Sequence, residues 1–345
     1  MLRLTDREKL VFYGLVRWPD LTDALLSKRL NVGRSTVTTI RNRLEGNKLY
    51  TTINVPNFEG IGCEILTALY GEFHPSAMYR RVRDIADEFG NIFFMMSMGV
   101  HKISLGASTT FTEIGRYVED YHDSHHKIGL SSLKRHNYVF FPLKLSRIFR
   151  FFDYAPLLRD HFNLKIDDEP EADEGFRRVR LTRNERLVFC SLIKYPELTD
   201  GRIASMLGMS RQTVSSIRRK IEENGLMRRI RVPDIGRLGF ELLVFTHLHI
   251  NPRMPIAKRK KGIDMLLSGA PHILKISGNL ESIILSVFRD YTEYLNTYDK
   301  IFGFYKENGF LLEDPIVKIF SMRETDLEIH HRYAPLVENV LMSTE

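Results

Sequence analysis

Two cysteines in 345 residues, a single tryptophan and no long apolar run set the first limits on this chain. So few cysteines exclude a disulfide-built scaffold, and their apolar positions, Cys63 and Cys190, fit a reducing compartment. Glycine (22) and proline (13) are too sparse for a collagen or a Pro/Gly-rich disordered chain. Apolar stretches such as Asn91–Met98 fall far short of the ~20 residues that cross a bilayer. The opening MLRLTDREKL carries charge throughout and lacks the apolar core of a signal peptide, so a cytoplasmic protein is expected, with no membrane partner. What remains is 43% hydrophobic and 27% charged, with a net charge of +7: an ordinary globular composition with a modest basic excess.

The first positive feature is a repeat. LTDREKLVFYGLVRWPDLTD at 4–23 returns as LTRNERLVFCSLIKYPELTD at 181–200, and the offset of 177 holds without a gap from Leu4/Leu181 to Leu66/Leu243. Further on, SMGVHKISLG at 97–106 faces SGNLESIILS at 277–286, and Tyr154-Ala-Pro-Leu returns as Tyr333-Ala-Pro-Leu. A unit of about 175 residues used twice is expected. Boundaries are expected at 1–57 and 179–236 for two N-terminal modules, 58–162 and 237–345 for two second domains, and 163–178 for an acidic linker.

Thr5-x-x-Glu8 and Thr182-x-x-Glu185 read as capping boxes, each opening a helix whose apolar face includes Val11 and Leu15 or Val188 and Leu192. A second helix starts at Thr22 or Thr199. A tight turn, Asn31-Val-Gly or Gly208-Met-Ser, leads to a third. That third helix turns Val37, Ile40 and Leu44, or Val214, Ile217 and Ile221, toward a core. Its other face holds Arg34, Ser35, Thr38, Thr39 and Asn42 in copy one, and Arg211, Gln212, Ser215, Ser216 and Arg219 in copy two. Tyr50–Pro56 and Met227–Pro233 then alternate in a way that suits a short β-wing, with Arg228, Arg229 and Arg231 placed to hold phosphates.

Three helices and a β-hairpin make a winged helix-turn-helix. Its outward Arg, Gln, Ser and Thr are the side chains that read base edges in a major groove. Charge sorts accordingly: residues 1–56 carry +5, residues 179–235 carry +6, and the other 232 residues sum to −4. Double-stranded DNA is the expected partner. Copy two has Arg228-Arg229 where copy one has Thr51-Thr52, so a version in which only the second module binds DNA also stands.

The second half of each copy reads β-α-β-β-α-β. In copy one this is Glu64–Phe73, Ser76–Phe89, Ile92–Ser97, Lys102–Ala107, Thr112–His122 and Tyr138–Leu145. In copy two the strands His272–Ser277 and Glu281–Phe288 flank Gly278-Asn279, with a helix at Tyr291–Lys306 and a last strand near Pro315–Met322. This order is the ferredoxin-like split motif. The expected fold class is therefore α+β: two winged helix-turn-helix modules, each followed by a ferredoxin-like βαββαβ domain.

On SRQTVSSIRRKIEENGLMRRIRVPDIGRLGFELLVFTHLHI at 210–250 and ISGNLESIILSVFRDYTEYLNTYDKIF at 276–302, the chain resembles the Lrp/AsnC transcription regulators. The resemblance implies a DNA-binding regulator whose α/β domains pair modules, as an intrachain pseudo-dimer or a homodimer, and respond to a small-molecule effector. Glu281 stands at the family's acidic position in copy two, but Lys102 in copy one, so no ligand is carried over. A rival from the same superfamily is a siroheme-decarboxylase-like tetrapyrrole enzyme, for which His101, His247 and His249 are candidates.

Other features are read blandly. His122, His125, His126 and His136 suit a polar face better than a metal, and Phe93, Phe94, Met95, Met96 and Met98 suit a strand core better than a pocket. Lys258-Arg-Lys-Lys261 reads as a solvated charge run at least as well as a partner contact. No phosphate loop or nucleophile motif is present, so no catalytic residue, metal or cofactor is expected and the chain is read as a regulator, not an enzyme.

Overall fold

The computed structural model describes residues 4–72, 89–127, 136–166, 179–255, 258–259, 261–262, 265–266, 271–278 and 280–342. The expected helix at 76–89, most of the acidic linker, the His125 side chain, Lys260 of the basic run and Asn279 lie outside the described residues.

Each helical module forms as its capping residues dictate. In the first, helix α1 (Asp6–Arg17) opens on Thr5 and helix α2 (Asp23–Leu30) on Thr22, whose side chains accept amides of the first turn. Helix α3 (Arg34–Gly46) buries Val37, Ile40 and Leu44. Strand β1 (Tyr50–Pro56) and the short helix α4 (Phe58–Ile61) follow. The second module repeats the design with α7 (Arg183–Lys194), α8 (Asp200–Leu207), α9 (Arg211–Glu223) and β7 (Met227–Pro233). The turn before the third helix needs a left-handed residue, met by Asn31 (φ 52°) in one module and Gly208 (φ 66°) in the other.

Between the modules run β2 (Ile65–Glu72), β3 (Ile92–Met98), β4 (His101–Ser108), α5 (Phe111–Lys127), β5 (Asn137–Pro142), β6 (Arg147–Phe151) and α6 (Ala155–His161). After β7 come β8 (Leu242–His249), β9 (His272–Ser277), β10 (Glu281–Phe288), α10 (Tyr291–Glu307), β11 (Ile316–Ser321), β12 (Asp326–His330) and α11 (Ala334–Met342). The described residues between β8 and β9, at 258–259, 261–262 and 265–266, are helical.

The fold is α+β. Its two five-stranded sheets have matching orders, β5-β2-β4-β3-β12 and β11-β8-β10-β9-β6. The first four strands in each are the ferredoxin-like set. The fifth is an added strand from a chain tail that periodicity does not single out: β12 pairs with β3, and β6 pairs with β9, both antiparallel.

The chain divides into two compact units. Unit 1 comprises 1–51, 145–170 and 231–324, and unit 2 comprises 52–144, 171–230 and 325–345. Each unit therefore combines the helical module and tail of one copy with the sheet of the other. In unit 1, α6 packs on α1; in unit 2, α11 packs on α7. Phe58, Phe93 and Tyr333 join in unit 2, with Phe93 stacked on each of the others at 5.2 Å. The expected hairpin wings do not form. Each copy supplies one strand there, and β1 and β7 are the two members of a two-stranded sheet. The alternation that suggested a wing records a strand, but its partner is distant in sequence.

Residues Phe93–Met96 are buried, as a strand core requires. Between the sheet and α5, Ile92 and Met95 of β3 and Ile329 of β12 pack with Phe89 and with Tyr121 of α5. In unit 1, Leu248 and Ile284 pack with Ile301 and Tyr305 of α10. No helix among the described residues is long and apolar enough to cross a membrane.

Candidate functional site

Three groups of side chains hold chemistry. The first is the outer face of the helical modules. Arg34, Ser35, Thr39 and Asn42 are exposed, as are Arg211, Gln212, Ser215, Ser216, Arg219 and Arg228. Thr38 is half-buried, and its hydroxyl donates to Asp23 Oδ2 at 2.8 Å. Arg229 is half-buried.

Arg231 departs from its expected role as a phosphate anchor. It is buried, donates from Nη1 to the Leu15 carbonyl at 2.7 Å and lies over the Tyr50 ring. In unit 2, Asn54 Nδ2 donates to the Leu192 carbonyl at 2.8 Å. Both carbonyls lie in the last turn of a first helix, where intrahelical donors run out, so these side chains act as caps.

The basic excess is also partly committed within each module. Arg41 meets Asp23 at 2.5 Å and Arg218 meets Asp200 at 2.6 Å, tying the second helix to the third. Arg43 pairs with Glu8, and Lys220 with Glu185 at 2.6 Å. Burial would raise both capping-box carboxyls, but the threonine bonds and the cations outweigh it and hold them below the usual range.

The second group lies in unit 2. His122 Nε2 is 2.7 Å from Tyr138 Oη, and its ring stacks on His136 at 5.3 Å. Burial, then His122 and Lys102, pushes the His136 pKa down to about 4. Burial pushes the Tyr138 phenol up to about 12, so it stays a donor. Gly71 is required here: a Cβ would stand 2.5 Å from His136 Cδ2. Gly71→Ala is expected to cost about 1–3 kcal/mol in urea unfolding, as overpacked cores do. A neutral result would mean that the His136 ring is free to move. Beside this group, a cavity of about 50 Å³ lies between the sheet and α5, lined by residues that include Leu69, Ile114, Tyr117 and Tyr121.

The third group lies in unit 1. His247 and His249 sit two apart on β8, and Glu281 opposes His249 on β10. Even-numbered residues of β8 face α10, so the two histidines project from the opposite face. Their ring centroids are 4.3 Å apart. Glu281 Oε1 lies 3.5 Å from His249 Nε2 and 4.0 Å from His247 Nε2, while Glu313 Oε1 is 2.5 Å from His249 Nδ1. Two of the three histidine candidates are thus neighbours. The third, His101, is in unit 2, 3.9 Å from Glu72. Glu281 stands out in the sequence for another reason, and nothing in the sequence marks Glu313. The bridge that joins Ile250 to Leu311, with Leu312 N donating to the His249 carbonyl at 2.9 Å, explains how a residue more than 60 positions away reaches His249.

No family model matches the chain, and no curated protein matches it. Among solved structures, the siroheme decarboxylase NirDL matches with a TM-score of 0.52 and 8% identity, over 98% of this chain and 99% of that one. The same enzyme in complex with an iron-uroporphyrin III analogue matches at 0.53 and 10% identity, over 99% and 100%. An AsnC family transcriptional regulator from Agrobacterium tumefaciens covers 41% of this chain and 90% of its own, at 17% identity and a TM-score of 0.34. The reading that ruled out an enzyme is therefore corrected: a decarboxylase shares this fold from end to end.

Proposed function

We propose that the chain is an enzyme that binds a tetrapyrrole and removes carboxyl groups from its side chains. The observation that carries this reading is the end-to-end likeness to a siroheme decarboxylase, which takes in both helical modules, both sheets and both tails. The chemistry asks for a proton donor. Loss of carbon dioxide breaks a carbon–carbon bond and leaves its electron pair on the side-chain methylene, which becomes a methyl when it accepts a proton. His122 is exposed and bonded to a phenol that stays protonated, so the His122–Tyr138 pair is the donor in this reading. The cavity under α5 is far below the ~300–1,000 Å³ of ordinary ligand pockets, so it does not hold the macrocycle in this reading.

Siroheme added to the full chain is expected to shift its Soret band on binding, and mass spectrometry should then follow loss of carbon dioxide. His122→Ala and Tyr138→Phe should slow that loss by about 10²–10⁴-fold while binding persists. An unshifted Soret band with intact siroheme would end this reading.

A second reading is favoured by one observation: Arg34, Arg211, Arg219 and Arg228 all stand exposed, together with the small polar residues between them. In it a duplicated Lrp/AsnC-like unit places α3 and α9 in major grooves of double-stranded DNA, with the α/β domains pairing modules and taking up an effector. Ser35, Thr38, Thr39, Asn42, Gln212, Ser215 and Ser216 would read bases, and Arg229 would assist Arg228 at phosphates. Binding to duplexes selected from a random pool should then weaken steeply with salt, by about 0.9 in log K per log unit of salt for each phosphate held. Arg211→Ala should reduce it further. Equal losses from Arg34→Ala would contradict the version in which only the second module binds. Salt-independent binding of every sequence would exclude the reading altogether.

A further inference from the structure

The geometry points to a binding site for one divalent transition-metal ion at His247, His249 and Glu281, with zinc as the best match to the donor set. The argument begins with the strand. Residues two apart on β8 share a face, and the antiparallel register sets Glu281 directly opposite His249. One nitrogen from each ring and one carboxylate oxygen all lie within 4.8 Å of one another. Zinc bonded to nitrogen and oxygen at ~2.0–2.2 Å in a tetrahedron spaces its ligands about 3.3–3.5 Å apart. The 3.5 Å and 4.0 Å separations from Glu281 to the two histidines are therefore close to the bound geometry, and small side-chain rotations close the rest.

Glu313 is the second, independent observation. Its carboxylate Oε1 stands 2.5 Å from His249 Nδ1, on the ring nitrogen opposite the Nε2 that lies near Glu281, so Nε2 is the nitrogen left to an ion. A carboxylate behind a histidine is the usual outer partner of a metal-bound imidazole. The exposure is graded as an open site requires: His247 is 4% exposed, His249 24% and Glu281 41%. The ion would thus have an inner histidine, two ligands nearer the rim and a fourth position open to water.

The corresponding place in the other copy does not repeat the set. The residues aligned with His247 and His249 are Tyr70 and Glu72, and the strand opposite supplies His101. One histidine with a carboxylate at 3.9 Å is a poor site, so one ion per chain is expected. The inference is also independent of a tetrapyrrole substrate. An iron already held by four ring nitrogens accepts donors along one axis, whereas three donors converging from one side suit a bare ion.

The test uses the full chain stripped with a chelator and dialysed against zinc, with cobalt(II) as a visible probe of coordination. One equivalent should bind, and cobalt should give a spectrum of tetrahedral or five-coordinate type. His247→Ala and His249→Ala should each weaken binding at least about 100-fold, and Glu313→Gln about 10–100-fold. His247 is buried, so its variant counts only if its thermal unfolding matches the parent; His249 lies nearer the rim and keeps the test decisive. Glu72→Gln with His101→Ala should leave affinity and stoichiometry unchanged. Absence of stoichiometric binding, or undiminished binding by His249→Ala, overturns the proposal. So does a loss produced equally by the Glu72/His101 variant. None of these outcomes bears on siroheme turnover, which is read at His122 and Tyr138.

Discussion

Replacing Glu328 with leucine is expected to destabilise unit 2 by roughly 3–5 kcal/mol, more than any other single substitution proposed for this chain. Glu328 on β12 and Lys102 on β4 are each 4% exposed, with Nζ 3.4 Å from Oε2. Ser97 Oγ donates to the other carboxylate oxygen at 2.5 Å, and the ammonium lies 5.7 Å from the Tyr121 ring centre. Burial drives the Lys102 pKa down and Glu328 opposes it, so removal of the carboxylate leaves a buried cation without its main counter-charge. Replacing both, as Lys102→Met with Glu328→Leu, should recover most of the loss, because no charge then has to be desolvated. Urea unfolding of Glu328→Leu, of Lys102→Met and of the double variant measures the cycle. A Glu328→Leu cost below about 1 kcal/mol would mean that the pair is solvated, against its burial.

Acid should weaken the fold well above the carboxylate range. His136 and His272 are buried, with pKa values lowered to about 4 and about 3. Burial is the main cause for both. His122 and Lys102 add to it at His136, and Arg150 and Lys275 at His272, where Ser286 Oγ holds Nδ1 at 2.7 Å. Both values lie below the ~6.5 of an unfolded histidine, so between about 6.5 and 4 the unfolded chain binds more protons than the native one. Stability is therefore full above pH 7 and falls as pH drops through that window, by up to about 1.4 kcal/mol per unit for each histidine. His272→Asn, which keeps an amide near Nδ1, should flatten part of the slope. Unfolding free energies that stay level from pH 7 to 4.5 would show that these rings already accept protons in the native state.

Much of the local structure was legible because local rules decide it. Both capping boxes form as Thr5/Glu8 and Thr182/Glu185 predict, and β9 and β10 span the expected residues because turn residues and apolar runs bound them. The added strands β6 and β12 are not marked in this way. RIFRF and DLEIH are short, follow directly on another strand and carry charges, so neither looks buried until its edge partner is known. Arg231 illustrates the same limit. On an isolated strand an arginine beside two others reads as a phosphate contact, but burial against Tyr50 and a bond to the Leu15 carbonyl make it a helix cap.

The site divides in the same way. The i, i+2 spacing of His247 and His249 is visible in the sequence, and the strand that carries them is expected. Their convergence with Glu281 depends on the β8–β10 register, and Glu313 reaches His249 only through the loop beyond α10. The sequence by itself determined two sets of capped helices, two ferredoxin-like strand sets and a basic bias toward the helical modules, since periodicity, capping and charge are properties of short segments. Only the tertiary structure decided that each sheet joins the module and tail of the other copy, that β1 and β7 pair, and which charged side chains become caps, buried pairs or candidate ligands. Two similar copies present similar apolar faces and strand edges, so segment patterns read alike whichever copy supplies the partner. Burial and register, which only the folded chain possesses, make the choice.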